Sequence, residues 1–417
     1  MRHSIGIMTT LNQTPSGSRL HISIFGRRNA GKSSLINALT QQHAAIVSAV
    51  PGTTTDPVGK AMEILPLGPV LITDTAGIDD SGALGELRVE KTLRVIDHTD
   101  LAVLTLDPAC PPDTYEDDLL ARLRAGNRPV VVAVTKADLP GDAASALQWA
   151  RDRQLPAAHV SAVTRQGIDE LKRLLISVTP DELLQHAVLD DLVRPGDCVV
   201  LVTPIDKAAP KGRLILPQVM TIRDALDHDA YALVVKEREL KFALANLKTR
   251  PRLVVTDSQA VLKAAADTPE EIPFTTFSIL MARMKGDLEQ LVRGVRTVAR
   301  LQPGARVLIA EACTHHRQAD DIGKVQIPRW LRQQVGGDID FHFSSGPDFP
   351  PDLSTFDLVI HCGACMINRQ EMLTRGLRAE EAGVPMVNYG VFLSYIHGVI
   401  ERALRPFPAA YLAYTEE

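Results

Sequence analysis

The sequence has few aromatic side chains, no excess of basic charge and no long apolar run. Aromatic residues make up 4% of the 417 residues, and 45 Lys and Arg stand against 50 Asp and Glu, for a net charge of -5. A dedicated nucleic-acid surface is not expected, because such surfaces combine a basic field with stacking rings. No run approaches the ~18 apolar residues that cross a membrane, and the first residues lack the apolar core of a signal peptide. We therefore expect a soluble, cytoplasmic protein with no membrane or nucleic-acid partner.

Cysteine is also scarce, with five residues in the whole chain. Cys362 and Cys365 are separated by two residues, Cys313 lies upstream, and Cys110 and Cys198 are isolated. An odd number of cysteines in a long chain does not suit a disulfide framework. The pattern predicts metal or redox chemistry.

Apolar and helix-like segments alternate in three successive sets. From residue 19 to 178, short β-branched runs alternate with helical segments, which predicts a parallel sheet wrapped by helices. A second set over 179–270 predicts a small middle α/β domain, and a third set over 271–417 predicts a further parallel sheet. Residues 1–18 are polar and are predicted to be a flexible lead-in. The predicted fold class is α/β, in three domains.

One long amphipathic stretch follows Pro273. Apolar residues recur there at alternating spacings of four and three, which predicts a core-facing helix, a partner-binding helix being the alternative. These residues are Met284, Leu288, Leu291, Val295 and Val298.

A glycine-rich loop follows the first apolar run. The segment GRRNAGKS, from Gly26 to Ser33, stands between LHISIF and the helical run SLINALT, which is the context of a phosphate-binding loop. Its glycines let backbone N–H groups turn toward phosphates, Lys32 supplies a charge for the β- and γ-phosphates, and Ser33 can ligate Mg²⁺. The predicted nucleotide contacts in this segment are Gly26, Asn29, Ala30, Gly31, Lys32, Ser33 and Ser34.

A second phosphate-side element closes the apolar run VLITD. Asp74 can reach the magnesium shell through water, and Gly77 can follow the γ-phosphate. Both residues are predicted to contact the nucleotide.

Two further elements suit recognition of a guanine base. Thr135, Lys136 and Asp138 close the apolar run VVVAVT, and the Asp138 carboxylate can accept hydrogen bonds from guanine N1 and N2, which adenine does not supply. Ser161 and Ala162, after a later strand, fit a loop that backs the ring. The predicted ligand is therefore GTP.

These four ordered elements resemble the motifs of G proteins over about residues 20–177. Residues 52–56 resemble switch I of the TrmE-Era branch, in which a threonine closes over magnesium. The resemblance implies that role for Thr54, with Thr53 the alternative. The implied catalytic residues are Lys32, Thr54, Asp74 and Gly77.

The resemblance also bears on the rate of hydrolysis. Ile78 stands where Ras-like proteins carry the glutamine that orients water, so we expect slow unaided turnover. Asn29 occupies the position at which potassium-activated members of the branch have an asparagine ligand, which implies that K⁺ can supply charge in the transition state. The alternative is that Asn29 only hydrogen-bonds a switch loop.

The second group of candidate residues contains sulfur. Cys313 and the pair Cys362 and Cys365 each follow an apolar run, and ligand sites of parallel sheets lie outside such strand ends. Three thiolates suit zinc together with one histidine, or an iron-sulfur cluster with one non-cysteine ligand, and a redox Cys-x-x-Cys pair is a further alternative. Nearby histidines are candidate ligands or outer-shell donors: His315, His316 and His361.

This combination resembles the iron-iron hydrogenase maturation GTPases, the HydF family, over residues 20–417. The resemblance implies a 4Fe-4S cluster on Cys313, Cys362 and Cys365 with an exchangeable fourth ligand. His315 and His361 match the family pattern but are weak candidates for that ligand. It implies a scaffold that carries a transient di-iron precursor to apo iron-iron hydrogenase, together with radical-SAM maturation enzymes. The middle domain matches the family's dimerisation module, which implies a homodimer.

Two other functions remain open on the sequence. A TrmE-Era type GTPase with a structural zinc site would act in tRNA modification or ribosome assembly and would be colourless. A redox-sensing GTPase would use Cys362 and Cys365 as a reversible disulfide. The near-neutral charge weighs against the first, and the additional cysteine at another strand end weighs against the second.

Overall fold

The computed structural model describes residues 14–40, 59–75, 94–184, 187–204, 214–312, 321–346 and 348–416. The chain divides into two compact units, Met1–Gln185 and His186–Glu417. Both units contain sheets of mainly parallel strands with packed helices, so the α/β fold class is confirmed. Among the described residues, no helix has the length and apolar character needed to cross a membrane.

The first unit is built around a six-stranded sheet. Its strands are β1 (Leu20–Phe25), β2 (Gly59–Ile64), β3 (Gly68–Asp74), β4 (Leu101–Leu106), β5 (Val130–Val134) and β6 (Ala157–His159). The spatial order is β2-β3-β1-β4-β5-β6, and all neighbours are parallel except β2 with β3. Strands β1, β4 and β5 are buried along their whole length, which explains their mainly apolar sequences.

Helices cover both faces of this sheet. They are α1 (Lys32–Thr40), α2 (Thr114–Ala125), α3 (Ala143–Asp152), α4 (Ile168–Val178) and α5 (Asp181–Leu184). Leu35 and Leu171 pack into one core, and Leu123 and Trp149 pack into the other. The five parallel strands point the same way, so the loops after β1, β3, β5 and β6 leave the sheet at one edge.

The second unit begins with a four-stranded parallel sheet. Its strands are β7 (Cys198–Val202), β8 (Tyr231–Val235), β9 (Leu253–Thr256) and β10 (Phe274–Thr276), in the order β10-β9-β7-β8. Its helices are α6 (Leu216–Asp227), α7 (Leu240–Asn246) and α8 (Val261–Asp267). Strand β10 pairs with β9, so this sheet extends past residue 270, where the sequence pattern predicted a boundary.

A second four-stranded parallel sheet follows, as predicted. Its strands are β11 (Arg306–Glu311), β12 (Asp340–Ser345), β13 (Leu358–His361) and β14 (Met386–Asn388), in the order β12-β11-β13-β14. The helices of this part are α9 (Phe277–Lys285), α10 (Leu288–Val295), α11 (Ile327–Val335), α12 (Arg369–Glu381), α13 (Tyr389–Ile396), α14 (Ile400–Leu404) and α15 (Pro408–Thr415). One apolar core, which includes Phe274 and Phe392, serves both sheets of the unit.

The amphipathic stretch after Pro273 faces the core, as its periodicity predicts. The residues of the stripe, Met284, Leu288, Leu291, Val295 and Val298, are all buried. The stretch is nevertheless not one helix but two α-helices followed by a short 3₁₀ helix, Arg296–Arg300. Helix α9 ends at Lys285, and the Asp287 side chain accepts a 3.0 Å hydrogen bond from the Gln290 nitrogen to begin α10.

Candidate functional site

The loop between β1 and α1 has a backbone that only glycine permits at its start. Gly26 has a φ of 146°, and a Cβ placed there would lie 2.1 Å from Thr105 Oγ1 and 2.6 Å from the Thr105 carbonyl oxygen. Gly31 has a φ of 84°, and the exposed Asn29 has a φ of 61°. Helix α1 begins at Lys32, and the first N–H groups of a helix lack intrahelical partners and attract anions. The loop geometry fits a bound phosphate chain.

Lys32 is buried within this loop. Its Nζ donates hydrogen bonds to the carbonyl oxygens of Gly26, at 2.9 Å, and Arg27, at 2.7 Å. The ammonium group is thus held on the inner side of the loop, where it can meet phosphate oxygens. Ser34, the third residue of α1, is exposed.

Ser33 and Asp74 meet at the end of β3. The Ser33 hydroxyl donates a hydrogen bond to Asp74 Oδ2. Within the described part of the chain, Asp74 Oδ1 is buried and has no hydrogen-bond partner. A hydroxyl beside a carboxylate oxygen that still needs a partner is a donor set that fits Mg²⁺, which prefers oxygen ligands. The other residues predicted on this side, Thr53, Thr54 and Gly77, lie outside the described residues.

The predicted guanine-side residues lie together at the ends of β5 and β6. The buried Ser161 hydroxyl donates to Asp138 Oδ1 and accepts from the backbone nitrogens of Val163 and Thr164, at 3.2 and 3.0 Å. Asp138 itself is exposed, so its carboxylate is open to a base, and Ala162 next to Ser161 is partly buried. The Ser161 hydroxyl thus fixes the orientation of the Asp138 carboxylate.

The base side and the phosphate side are joined by a hydrogen bond. Thr135 Oγ1 donates to the carbonyl oxygen of Ala30, at 2.8 Å. Lys136, with a φ of 58°, donates from Nζ to Asp107 Oδ2 at 2.6 Å, which fixes the turn that carries Asp138. One hydrogen bond therefore links the turn after β5 directly to the phosphate-side loop.

Arg27 is a loop residue whose role the sequence did not reveal. Its Nε and one Nη donate to the two carboxylate oxygens of Glu116 on α2, at 2.7 and 3.0 Å, and its guanidinium lies over the Tyr115 ring. The hydrogen bond from buried Glu116 raises the pKa of Arg27 well above its usual range. The only hint in the sequence is the charge of Arg27, because its partner lies 89 positions away.

Two of the three candidate cysteine ligands follow β13. Cys362 Sγ accepts a 3.1 Å hydrogen bond from the backbone nitrogen of Ala312, the first residue after β11. Ala364, between the two cysteines, is buried and has a φ of 54°, a conformation that costs free energy in a residue with a Cβ. Cys313 follows Ala312 in the sequence but lies outside the described residues, as does His315.

Burial controls the protonation of both thiols. It raises the pKa of Cys362 to about 11, with smaller raising effects from the negative charges of Cys365 and Glu311. Burial also raises the pKa of Cys365, while the positive charge of Lys285 acts in the opposite direction. Among the described residues, no group of three or more His, Cys, Asp or Glu side chains forms a metal site. The two soft thiol donors fit zinc or an iron-sulfur cluster in their chemistry.

Both ring nitrogens of His361 already have partners. Nδ1 lies 2.9 Å from the carbonyl oxygen of Cys362, and Nε2 lies 3.0 Å from Nη1 of Arg375. Since guanidinium only donates, Nε2 is the acceptor and Nδ1 carries the proton. Burial, assisted by the charge of Arg375, lowers the pKa of His361 to about 3. The ring is therefore neutral. It links Arg375 to the loop that carries Cys362 and Cys365, called here the cysteine loop.

Two buried cations near this loop were not singled out from the sequence. Arg375 on α12 also donates to the Gly346 carbonyl oxygen, at 2.8 Å, and to Glu371, at 2.6 Å. Lys285 donates to the carbonyl oxygen of Ile367. No sequence signal identified either residue, because Lys285 is not part of the apolar stripe and a charged side chain is expected at the surface.

Three family models match the chain. The Hydrogen maturase F tetramerization domain matches residues 289–406, and the Hydrogen maturase F dimerization domain matches 188–286. The 50S ribosome-binding GTPase model matches 21–136. The two maturase models together cover most of the second compact unit, and the GTPase model covers most of the first.

Curated relatives that match part of the chain are GTPases. A tRNA modification GTPase MnmE from Nostoc sp. is 32% identical over 173 residues, which are 41% of this chain and 37% of the relative. The MnmE of Heliobacterium modesticaldum is 41% identical over 157 residues, 36% of this chain and 32% of the relative. The chain thus spans only about a third of the length of these relatives. They support GTP hydrolysis by the first unit.

Solved structures of GTPases also resemble part of the chain. A variant of Aquifex aeolicus Era bound to GDP.AlF4- is 20% identical, with a TM-score of 0.32, over 52% of this chain and 93% of that chain. The G domain of the T. maritima FeoB iron transporter is 24% identical, with a TM-score of 0.30, over 39% of this chain and 99% of that chain.

Proposed function

Because the chain belongs to the hydrogen maturase F (HydF) family, we propose that it is a GTP-hydrolysing scaffold that binds a 4Fe-4S cluster and carries a di-iron precursor to apo iron-iron hydrogenase. The observation that carries this proposal is the hydrogen bond from the Ala312 nitrogen to Cys362 Sγ. It joins the ends of β11 and β13, the two strands after which the three cysteines occur in the sequence.

The nucleotide is proposed to bind along the edge of the first sheet. The loop from Gly26 to Ser34 surrounds the phosphates, and the Lys32 ammonium neutralises their charge. Asp138 accepts hydrogen bonds from guanine N1 and N2, while Ser161 fixes the carboxylate from behind. Ala162 and Thr135 complete the base side, and Lys136 holds its turn against Asp107.

Hydrolysis is proposed to depend on charge and on water positioning. Ser33 and Thr54 would hold magnesium, and Asp74 would reach it through water. The metal would neutralise charge that develops on the β- and γ-phosphates. Thr53 is the alternative to Thr54, and Gly77 follows the γ-phosphate. We expect slow hydrolysis, because Ile78 has no group that orients the attacking water. We propose that Asn29 contributes a ligand to K⁺, which would then stimulate turnover.

The cluster is proposed to lie on Cys313, Cys362 and Cys365. An exchangeable fourth position would let a second iron compound bind and later leave, which a carrier requires. His361 is a poor candidate for that position, since both of its nitrogens are engaged with Cys362 and Arg375. His315 remains a candidate on sequence alone.

The partners follow from the proposed cargo. The dimerization and tetramerization matches support self-association of the chain, and we propose a homodimer through the middle domain. The di-iron precursor would come from radical-SAM maturation enzymes and pass to apo-hydrogenase in the cytoplasm. The GTPase switch segments would bias these contacts, since they respond to the γ-phosphate.

An anaerobic iron and sulfide assay on the reconstituted full-length protein tests the proposal, together with absorption and low-temperature EPR spectra. We expect a brown protein with about four irons per chain and a reducible cluster signal. A colourless protein that retains one zinc and resists reconstitution would overturn the scaffold proposal. It would favour a GTPase with a structural zinc site, for which RNA binding is the next measurement.

Variants separate the two activities. Lys32→Ala and Asp138→Ala should abolish GTP turnover and leave iron content unchanged, because the cysteines lie in the other compact unit. Cys362→Ser should remove the cluster and leave GTP hydrolysis near normal. A matched control for Cys362→Ser is Cys110→Ser, which removes a free thiol from the first compact unit and leaves the cysteines after β13 unchanged.

A further inference from the structure

The loop between β1 and α1 is held by side chains at three points. The Thr105 hydroxyl donates to the carbonyl oxygen of Phe25 at 2.9 Å, just before the loop, and Thr135 donates to the carbonyl oxygen of Ala30 near its end. Between these two points, the side chain of Arg27 donates hydrogen bonds to the start of α2. No residue of α2 is among the predicted nucleotide contacts. The loop is therefore held in part by an element outside the predicted site.

The Arg27 guanidinium binds a buried carboxylate. Its Nε donates to Glu116 Oε1 at 2.7 Å, and its Nη2 donates to Glu116 Oε2 at 3.0 Å. The Glu116 side chain is only 3% exposed, and the guanidinium lies 5.1 Å from the centre of the Tyr115 ring. Nη2 also donates to Asp113 Oδ1. Because a pair with two parallel hydrogen bonds fixes direction as well as distance, the Arg27 side chain is held in one orientation.

Glu116 is itself positioned by the first turn of α2. Its Oε2 accepts a 2.9 Å hydrogen bond from the backbone nitrogen of Asp113, and Asp113 Oδ1 accepts one of 2.9 Å from the backbone nitrogen of Tyr115. This arrangement is a capping box, which pairs the N–H groups that the start of a helix leaves without partners. The carboxylate that receives Arg27 is therefore part of a well-ordered helix start.

The backbone of Arg27 contacts the lysine of the phosphate-binding loop. The carbonyl oxygen of Arg27 accepts a 2.7 Å hydrogen bond from Lys32 Nζ and one of 3.3 Å from the Ala30 nitrogen. The Gly26 carbonyl oxygen accepts from the same Nζ at 2.9 Å. Arg27 thus joins α2, through its side chain, to the Lys32 ammonium, through its carbonyl oxygen. Since both groups belong to one residue, fixing the guanidinium limits the positions that the carbonyl oxygen can adopt.

We propose that Arg27 is a positioning residue of the nucleotide site, because its ion pair with Glu116 fixes the carbonyl oxygen that directs the Lys32 ammonium toward the β- and γ-phosphates. This inference deepens the proposed function and rests on it for the nucleotide. Arg27 acts through Lys32, whereas the guanine base is bound by Asp138. Loss of the ion pair therefore weakens binding of the phosphate chain and leaves binding of the base unchanged.

The first experiment measures the binding of GDP and of GMP to the full-length protein by competition with a fluorescent guanine nucleotide. GMP lacks the β-phosphate that Lys32 is proposed to meet. Arg27→Met and Glu116→Gln should each weaken GDP binding about tenfold and leave GMP binding within about twofold of the unmodified protein. Arg27→Lys keeps the charge but not the two parallel hydrogen bonds, so its loss should be smaller. The double variant should bind GDP no more weakly than Arg27→Met, since both changes remove the same pair.

A second arginine pair on α2 provides the matched control. Arg153 donates to both carboxylate oxygens of Asp117, at 2.6 and 2.9 Å, and its guanidinium lies over the Trp149 ring. This pair joins α2 to the end of α3, so Arg153→Met should leave GDP binding unchanged. Equal weakening of GDP and GMP by Arg27→Met would overturn the proposal, and so would unchanged GDP binding in both Arg27→Met and Glu116→Gln. Should Arg27→Met fail to fold, Glu116→Gln and Arg27→Lys still decide.

The second experiment needs no nucleotide. The full-length protein is treated with the N-hydroxysuccinimide ester of acetic acid, and acetylation of each lysine is followed by peptide mass spectrometry. Lys32 should react at least about threefold faster in Arg27→Met and Glu116→Gln, because its ammonium is held less firmly, while Lys263 in the second unit serves as the internal reference. An unchanged rate at Lys32 in both variants would overturn its link to Arg27. If the unmodified protein binds no GDP, the proposed nucleotide site itself fails, and the acetylation experiment still tests Arg27 separately.

Discussion

Arg375 and His361 form a buried pair behind the cysteine loop, with 3.0 Å between Nη1 and Nε2. His361 is the last residue of β13, and Arg375 lies in the second turn of α12, so the contact joins the strand to the helix that follows it. The same guanidinium reaches the Gly346 carbonyl oxygen after β12. The Arg375 side chain therefore links α12 to the end of β13 and to the segment after β12, around the proposed cluster site.

Arg375→Met should lower the free energy of unfolding of the second unit by about 3 kcal/mol, because it leaves Glu371 and His361 without their buried partner. Denaturant unfolding can be followed by fluorescence in a Trp149→Phe background. The two tryptophans of the chain, Trp149 and Trp330, lie in different units, so this background reports the second unit.

The matched control for Arg375→Met is Arg293→Met. Arg293 also pairs with a glutamate four residues earlier, Glu289, but its side chain is 60% exposed where that of Arg375 is 3% exposed. Exposed pairs of this spacing contribute about 0.5 kcal/mol or less. Equal effects of the two substitutions would contradict the importance of burial.

Asp138→Asn should change the base preference from guanine to xanthine. The guanine N1 and N2 groups both donate to a carboxylate, whereas an amide can accept from xanthine N1 and donate to xanthine O2. We expect GTP binding to weaken by about a hundredfold and XTP binding to improve, measured by competition with a fluorescent guanine nucleotide.

Asp142→Asn is the control for this substitution. It removes the same charge nearby and retains a good cap for α3, where Asp142 accepts from the Ser145 nitrogen. An Asp138→Asn protein that still prefers GTP would show that this carboxylate does not read the base.

Gly26→Ala should weaken nucleotide binding without unfolding the first unit. The new Cβ would meet both the side chain and the carbonyl oxygen of Thr105, at a φ that residues with a Cβ rarely adopt. Strain of about 1–3 kcal/mol corresponds to roughly tenfold to hundredfold weaker binding, which calorimetry with GDP can measure. Gly68→Ala is the control, since its φ is 79° but nothing lies within 4 Å. Equal affinity in the two variants would contradict the steric argument.

The sequence predicted best the residues that directly follow a buried strand. Buried parallel strands appear as mainly apolar runs, so β1, β5 and β13 could be recognised, and the carboxyl ends of strands in one sheet could be expected to share an edge. The contacts of Asp138 with Ser161 and of Ser33 with Asp74 follow from that rule. In the described residues, each of these two pairs is in contact at the carboxyl ends of the strands.

Other features depend on contacts that no local pattern encodes. Strand β12 was missed because its side chains are only partly buried, so its sequence lacks an apolar run. Arg27, Lys285 and Arg375 have partners on other elements, and a charged residue is expected at the surface by default. The break between α9 and α10 was hidden by an apolar stripe that continues across Asp287.

The first unit should lose stability as the pH falls from about 6.5, because of His98. Burial, with the neighbouring His21 and Arg128, lowers the pKa of His98 to about 3 from its ordinary value of 6.5. Between these values the unfolded chain takes up a proton that the folded chain does not, so acid favours unfolding. The free energy of unfolding should fall by at most about 1.4 kcal/mol for each pH unit, and this fall should level off near pH 3. Denaturant unfolding in a Trp330→Phe background measures it, and His98→Gln should remove this contribution. If the free energy of unfolding depends on pH equally in the unmodified protein and in His98→Gln, other groups cause the acid sensitivity.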